Sequence, residues 1–235
     1  MPLIESVSVA AVAVPLDKVT SFSTRTVSER HYCLVKVRGK DGNEGIGFCY
    51  VGSAGGDIAK IAVEQLLAPK LIGQNSHRSE GLWMDMYNES ILQGRAGAVM
   101  RGISILDTAL WDLNARAAKL PLHQYLGSVV DDRVPAYASG GYYLDGKTPA
   151  KLGKEMESYV KQGFKAVKMK VGRLSPREEE ARVKAARKAV GEDVLLTLDA
   201  NNAWRDLPTA LEYIRRFEAY NPYWIEEPFS PDAID

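Results

Sequence analysis

Four places in the 235-residue sequence hold side chains whose types and spacing could do chemistry: Ser139, the pair Lys168 and Lys170, Asp199 with Asn201, and Glu226 with Glu227. In Lys165-Ala166-Val167-Lys168-Met169-Lys170-Val171, strand alternation sets both lysines on one side and Val167, Met169 and Val171 on the other. Two ammonium groups inside a packed strand layer are costly to desolvate, so they require carboxylates nearby or a wet, polar mouth. Asp199, which ends the apolar run Leu195-Leu196-Thr197-Leu198, and Glu226 offer those acids on the following strands. Hard oxygen donors gathered from adjacent strand ends suit Mg²⁺, which takes one or two carboxylates together with water and substrate oxygens. Alternation alone does not decide between Glu226 and Glu227. The three histidines, His31, His77 and His123, fall outside the cluster, so zinc is a poorer fit.

Each of these signals has a plainer meaning by itself. An isolated Lys-x-Lys is a solvated strand end, and an Asp after a strand is commonly a helix cap. Here acids close the next two strands, and Asp206 before Leu207-Pro208 suits the capping task better, which frees Asp199 for another role. Gly140-Gly141 after Ser139 lacks the wider glycine pattern of a dinucleotide or phosphate loop.

The elements that must carry these residues are short apolar runs alternating with amphipathic helices. The runs are Val134 to Ser139, Ala166 to Lys170, Val194 to Asp199 and Tyr223 to Glu226, with helices expected near 148–162, 176–190 and 207–219. Their ends lie 31, 29 and 27 residues apart. About 250 residues in eight units gives a (β/α)8 barrel roughly 31 residues per unit, although a doubly wound sheet has a similar repeat. In both folds the carboxyl ends of the strands carry the chemistry.

The first part of the chain differs. Ile4 to Val9 and Tyr32 to Arg38 alternate as antiparallel strands, and Asp17 to Glu29 and Gly52 to Gly56 read as candidate mobile loops. Helical periodicity follows, with Asp57 as an N-cap, then a second helix marked by Trp83, Met86, Tyr87 and Ile91, and a third from about Gly97 to Lys119. The expected organisation is an α+β domain over residues 1–125 and an α/β, barrel-type domain over 126–235.

Composition narrows the partners. Thirty basic residues balance thirty acidic ones, so the chain lacks the excess positive charge that phosphate backbones attract, and nucleic acid is not expected. No apolar stretch is long enough to span a membrane. Cys33 and Cys49 are too few for a disulfide framework, and Met1 to Ala10 lacks a signal-peptide pattern, so the cytoplasm is the expected compartment.

Taken in order, Ser104-Ile105-Leu106-Asp107-Thr108-Ala109-Leu110-Trp111-Asp112-Leu113, Leu120-Pro121-Leu122-His123-Gln124-Tyr125-Leu126-Gly127, Lys168-Met169-Lys170, Leu198-Asp199-Ala200-Asn201 and Trp224-Ile225-Glu226-Glu227-Pro228 resemble one known family. It is the mandelate racemase and muconate lactonizing enzyme group of the enolase superfamily. The resemblance implies an α+β capping domain, with loops that close over the active site, followed by a modified TIM-type barrel. It implies Asp199 and Glu226 as the first two Mg²⁺ ligands, Lys170 as the base on one face of the substrate, and Lys168 beside the substrate carboxylate. Ser139 and Asn201 become substrate or metal-shell contacts, and Glu227 a neighbouring acid outside the metal shell.

The chemistry so implied is removal of the proton α to a carboxylate, giving an enediolate whose charge Mg²⁺ offsets; a Lys or His base paired with Mg²⁺ is a general property of that superfamily. Lys170 must be neutral to take the proton, and Lys168 and Mg²⁺ are expected to depress its ordinary value of about 10.4. Acid-sugar dehydration is the leading expectation. The polar stretch holding Ser21, Ser23, Thr24, Arg25 and Thr26 suits a hydroxylated, anionic substrate, with Thr24 and Arg25 as contacts. Racemisation or epimerisation, and cycloisomerisation of the muconate type, are the alternatives. A homo-oligomer is expected.

Residues 133–235 number 103 where a barrel of this type has about 250. The third metal ligand and the opposite-face acid or base are therefore expected outside this chain, which reads as a truncated product, an excerpt or one piece of a split protein. The competing expectation, from another class, is an inactive fragment or assembly partner.

Overall fold

The computed structural model describes residues 2–94, 96–127 and 133–233. The chain divides into two compact units, one of residues 1–16 and 29–133 and one of residues 17–28 and 134–235.

Strands β1 (Ile4–Phe22), β2 (Arg25–Gly39) and β3 (Glu44–Gly52) form an antiparallel sheet in the order β1-β2-β3, which belongs to the first unit except for the β1–β2 tip, residues 17–28, which belongs to the second. Alternation decides its faces: Cys33, Val35 and Val37 are buried, while Leu34, Lys36 and Arg38 are exposed. Helices α1 (Gly56–Ala62), α2 (Ala68–Leu71), α3 (Ser79–Glu89), α4 (Ala98–Ala117) and α5 (Leu122–Tyr125) follow, with a π turn at Val63–Leu67 between the first two. Helix α4 packs on β3. A Cβ at Gly45 would stand 2.1 Å from the Ala109 carbonyl oxygen, and one at Gly47 2.1 Å from that of Ile105, so these two positions admit only glycine at this helix-to-strand approach.

Three expectations change here. The Asp17–Glu29 segment is a hairpin rather than a loop: β1 runs on to Phe22, Ser23-Thr24 turn, and β2 starts at Arg25, because backbone pairing overrides low apolar content. The α1 N-cap is Gly55, whose φ of 88° only glycine adopts readily, and Asp57 lies in the first turn, where it favours the helix dipole. Ile91 lies past the end of α3 and is exposed.

The second unit is a parallel sheet of β4 (Ala138–Ser139), β5 (Ala166–Lys170), β6 (Leu195–Asp199) and β7 (Trp224–Glu226), in that order. Helices α6 (Pro149–Lys161), α7 (Pro176–Val190) and α8 (Leu207–Phe217) connect them. Each helix starts with a proline in its first turn behind a capping residue: Thr148, Ser175 in a reciprocal box with Glu178, and Asp206, whose carboxylate accepts from the Thr209 amide at 2.8 Å. Val167, Met169, Leu196 and Leu198 form one core with Leu152, Met156, Val183, Ala186 and Phe217 of those helices. This is a partial TIM-type barrel of four strands. Because one side of β5 and β6 is committed to the helices, Lys168, Lys170, Thr197 and Asp199 occupy the other.

Candidate functional site

The register places the site. Ser139 pairs with Lys168, Lys170 with Asp199, and Asp199 with Glu226, so the four strands end their chemistry-bearing residues on one rim. Lys170 Nζ donates to Asp199 Oδ2 at 2.6 Å. Lys168 Nζ lies 3.0 and 2.9 Å from the two Glu226 oxygens and 3.5 Å from Asp199 Oδ2. Both lysines are 8% exposed and Asp199 is 2% exposed, whereas the Glu226 side chain is about one-third exposed.

Burial by itself pushes the Lys168 amine down, but the hydrogen bonds it donates to Glu226 and the charges of Asp199 and Glu226 outweigh it, and the group is held above the ordinary lysine range. Asp199 Oδ1 accepts from the Asn201 amide at 3.0 Å, which fixes the carboxylate from behind. Asn201 itself has φ 45° and donates through Nδ2 to Glu227 at 3.2 Å, while its Oδ1 is buried without a hydrogen bond. Glu227, also at positive φ, is exposed.

Asp199 and Glu226 converge on a single positive group, the Lys168 ammonium. They are hard oxygen donors of the type Mg²⁺ takes, leaving water or substrate oxygens to complete the shell. Among the described residues no set of three or more His, Cys, Asp or Glu side chains gathers in a metal-holding arrangement.

Of the remaining expected residues, Ser139 is exposed at the end of β4. Thr24 sits at the hairpin turn with its hydroxyl 3.4 Å from the Asn201 carbonyl, and Arg25 is exposed beside it. Three aromatic rings escaped the sequence reading. The Lys168 ammonium lies 5.3 Å from the Tyr137 ring, and that of Lys170 lies 5.4 Å from Tyr142 and 6.0 Å from Phe22. Tyr137, two residues before Ser139, was recoverable from strand alternation. Phe22 was not, since it lies in a stretch of Ser, Thr and charge with little apolar content.

A parallel α/β unit with paired lysines and acids at successive strand ends is the arrangement of a (β/α)8-type half-barrel. Family models agree: residues 4–127 match the mandelate racemase / muconate lactonizing enzyme N-terminal domain, and residues 151–235 match the enolase C-terminal domain-like family. The chain belongs to the mandelate racemase and muconate lactonizing enzyme group of the enolase superfamily. It is 41% identical over 179 residues to the arabinonate dehydratase of Saccharolobus solfataricus, covering 76% of this chain and 48% of that protein. It is 32% identical to the 3,6-anhydro-alpha-L-galactonate cycloisomerase of Streptomyces coelicolor, over 99% of this chain and 63% of the relative. A crystal structure of a racemase from Streptomyces coelicolor with bound magnesium superposes with a TM-score of 0.91 at 33% identity, over 98% of this chain and 64% of that one. The L-talarate/galactarate dehydratase of Salmonella typhimurium gives 0.88 at 30% identity, over 97% and 58%. The chain thus spans about half to two-thirds of the length of these relatives. Among the described residues, no helix is long and apolar enough to cross a membrane.

Proposed function

We propose that the rim formed by Lys168, Lys170, Asp199 and Glu226 belongs to a Mg²⁺-dependent enzyme that removes the α-proton of a carboxylate substrate, with acid-sugar dehydration as the reaction. The observation that carries this reading is the convergence of Asp199 and Glu226 on one cation, with a second buried amine, Lys170, 2.6 Å from the shared acid. Asp199 and Glu226 are the residues that hold Mg²⁺. When bound, the ion offsets the negative charge that builds on the substrate carboxylate as its α-proton leaves.

Lys170 is assigned as the base that takes that proton, and Lys168 binds the substrate carboxylate. Burial on the strand and the rings of Phe22 and Tyr142 keep Lys170 in one place, as a base must be. Asn201 orients Asp199 through its amide. Ser139, Thr24 and Arg25 supply further polar contacts, and Glu227 positions Asn201. Names of relatives support the substrate class: arabinonate dehydratase and L-talarate/galactarate dehydratase act on polyhydroxylated acids by name.

The test is α-hydrogen exchange, read as release to solvent of deuterium placed at the α-carbon of arabinonate, galactarate, talarate, gluconate and rhamnonate, with Mg²⁺ present and then chelated. Exchange that needs both Mg²⁺ and Lys170 is the expected result. Exchange surviving in Lys170→Met, on every acid tested, contradicts the assignment.

A further inference from the structure

We infer that Glu179 and Arg182 of α7 are a positioning pair that fixes the backbone of Lys170 and the tip of the β1–β2 hairpin around it. The inference deepens the proposed function and rests on Lys170 being the base of that reaction.

Glu179 is fully buried and lies on a helix, yet it satisfies a loop. Its Oε1 accepts from three consecutive amides, those of Gly172, Arg173 and Leu174, at 3.1, 3.0 and 2.9 Å, and from the Tyr143 phenol. Such a run of N–H groups, opened by Gly172 at φ 98°, is a concavity that elsewhere binds an anion; here the chain's own carboxylate fills it. Glu179 Oε2 pairs with Arg182 at 2.7 Å. The Arg182 guanidinium then donates to the Lys170 carbonyl at 2.9 Å and to the Gly141 carbonyl at 2.8 Å, and lies 3.9 Å over the Tyr143 ring. One ion pair therefore sets the chain where it leaves both β4 and β5.

The hairpin tip is fastened to these same points. Ser21 and Tyr143 exchange backbone hydrogen bonds at 2.9 and 2.8 Å, the Ser23 hydroxyl donates to the Val171 carbonyl, and the Arg173 guanidinium donates to the Phe22 carbonyl at 3.1 Å. Every one of these anchors is on a segment that Glu179 or Arg182 holds. A pair needed only to stabilise the unit would tie helix to strand; this one ties two rim loops and, through them, the segment that puts Phe22 beside Lys170. A lysine at position 182 has three donors on one nitrogen and lacks the planar fork whose two nitrogens reach Lys170, Glu179 and Gly141 in this geometry.

Site-resolved hydrogen exchange on the full chain tests this without reference to activity. In Glu179→Gln, the amides of residues 172–174 and of Ser21 and Tyr143 are expected to exchange at least about tenfold faster, while those of Leu196 to Asp199 keep their protection. Arg173→Ala, at an exposed side chain, is expected to release the hairpin tip alone. Where Glu179→Gln fails to fold, Tyr143→Phe, which removes one donor, carries the same expectation. Unchanged exchange at Ser21 in the folded variants, or an equal rise throughout β5, β6 and α7, overturns the inference.

The catalytic arm uses galactarate α-exchange in Arg182→Lys, where a fall in kcat with KM within about threefold is expected. A rise in KM at unchanged kcat overturns the positioning of Lys170. Absence of exchange in the unaltered protein refutes the proposed function instead, and the hydrogen-exchange result still decides the clasp.

Discussion

Lys168 and Glu226 stand on strands that do not touch, since β6 lies between β5 and β7, yet the Lys168 ammonium reaches both Glu226 oxygens at 3.0 and 2.9 Å. It does so over Asp199, which shares the same ammonium at 3.5 Å and holds Lys170 at 2.6 Å. Two cations and two acids are thereby linked through one buried carboxylate, and removing that carboxylate affects the set differently from removing any other member.

Asp199→Asn leaves two nearly buried ammonium groups short of a charge. A loss of about 3 kcal/mol or more in urea unfolding, followed at the tryptophans of the second unit, is expected. Adding Lys170→Met to that variant should recover part of the loss, with a coupling of about 1 to 3 kcal/mol. Strict additivity of the two changes would show that the 2.6 Å contact carries no energetic weight.

The capping unit makes a separate demand. Gly47→Ala would drive a methyl into the Ile105 carbonyl of α4, so the variant should lose about 2 to 3 kcal/mol or fail to accumulate as folded protein. Gly73→Ala serves as the comparison for positive-φ strain alone, because its Cβ would meet nothing within 4 Å. Equal stability of the two variants would mean that α4 does not approach β3 so closely.

Burial pushes the Cys33 thiol up from its ordinary value to about 11, with the neighbouring Cys49 directly opposite on β3 adding to the shift. A raised value means that the folded state favours the neutral thiol. The resulting stabilisation is fully present below about pH 9 and is lost as pH rises toward about 11. At pH 8 Cys33 should resist a disulfide reagent in the native protein and react once guanidinium unfolds it. Rapid native labelling of Cys33 would contradict its burial.

Much of this was legible in the sequence, for identifiable reasons. Lys168, Lys170 and Asp199 could be placed on one side because Val167, Met169, Leu196 and Leu198 left only one side free. The N-cap at Asp206 followed from Pro208 and the apolar pattern after it. What escaped lacked a local signal. The strand character of 17–22 comes from pairing rather than from apolar side chains. Glu179 sits in Arg177-Glu178-Glu179-Glu180, where nothing distinguishes the buried carboxylate from its exposed neighbour Glu178 until the loop at 172–174 folds around it. Tyr142 and Phe22 reach Lys170 from segments 28 and 148 residues away in sequence, which no periodicity reports.

Whether Asp199 and Glu226 act together on one divalent cation is decided by calorimetric titration of Mg²⁺ into the protein. A single site is expected, whose affinity falls about tenfold or more in Asp199→Asn and in Glu226→Gln, and falls less in Glu227→Gln, which reaches Asp199 only through Asn201. Unchanged affinity in both of the first two variants, in protein that remains folded, would contradict that joint action.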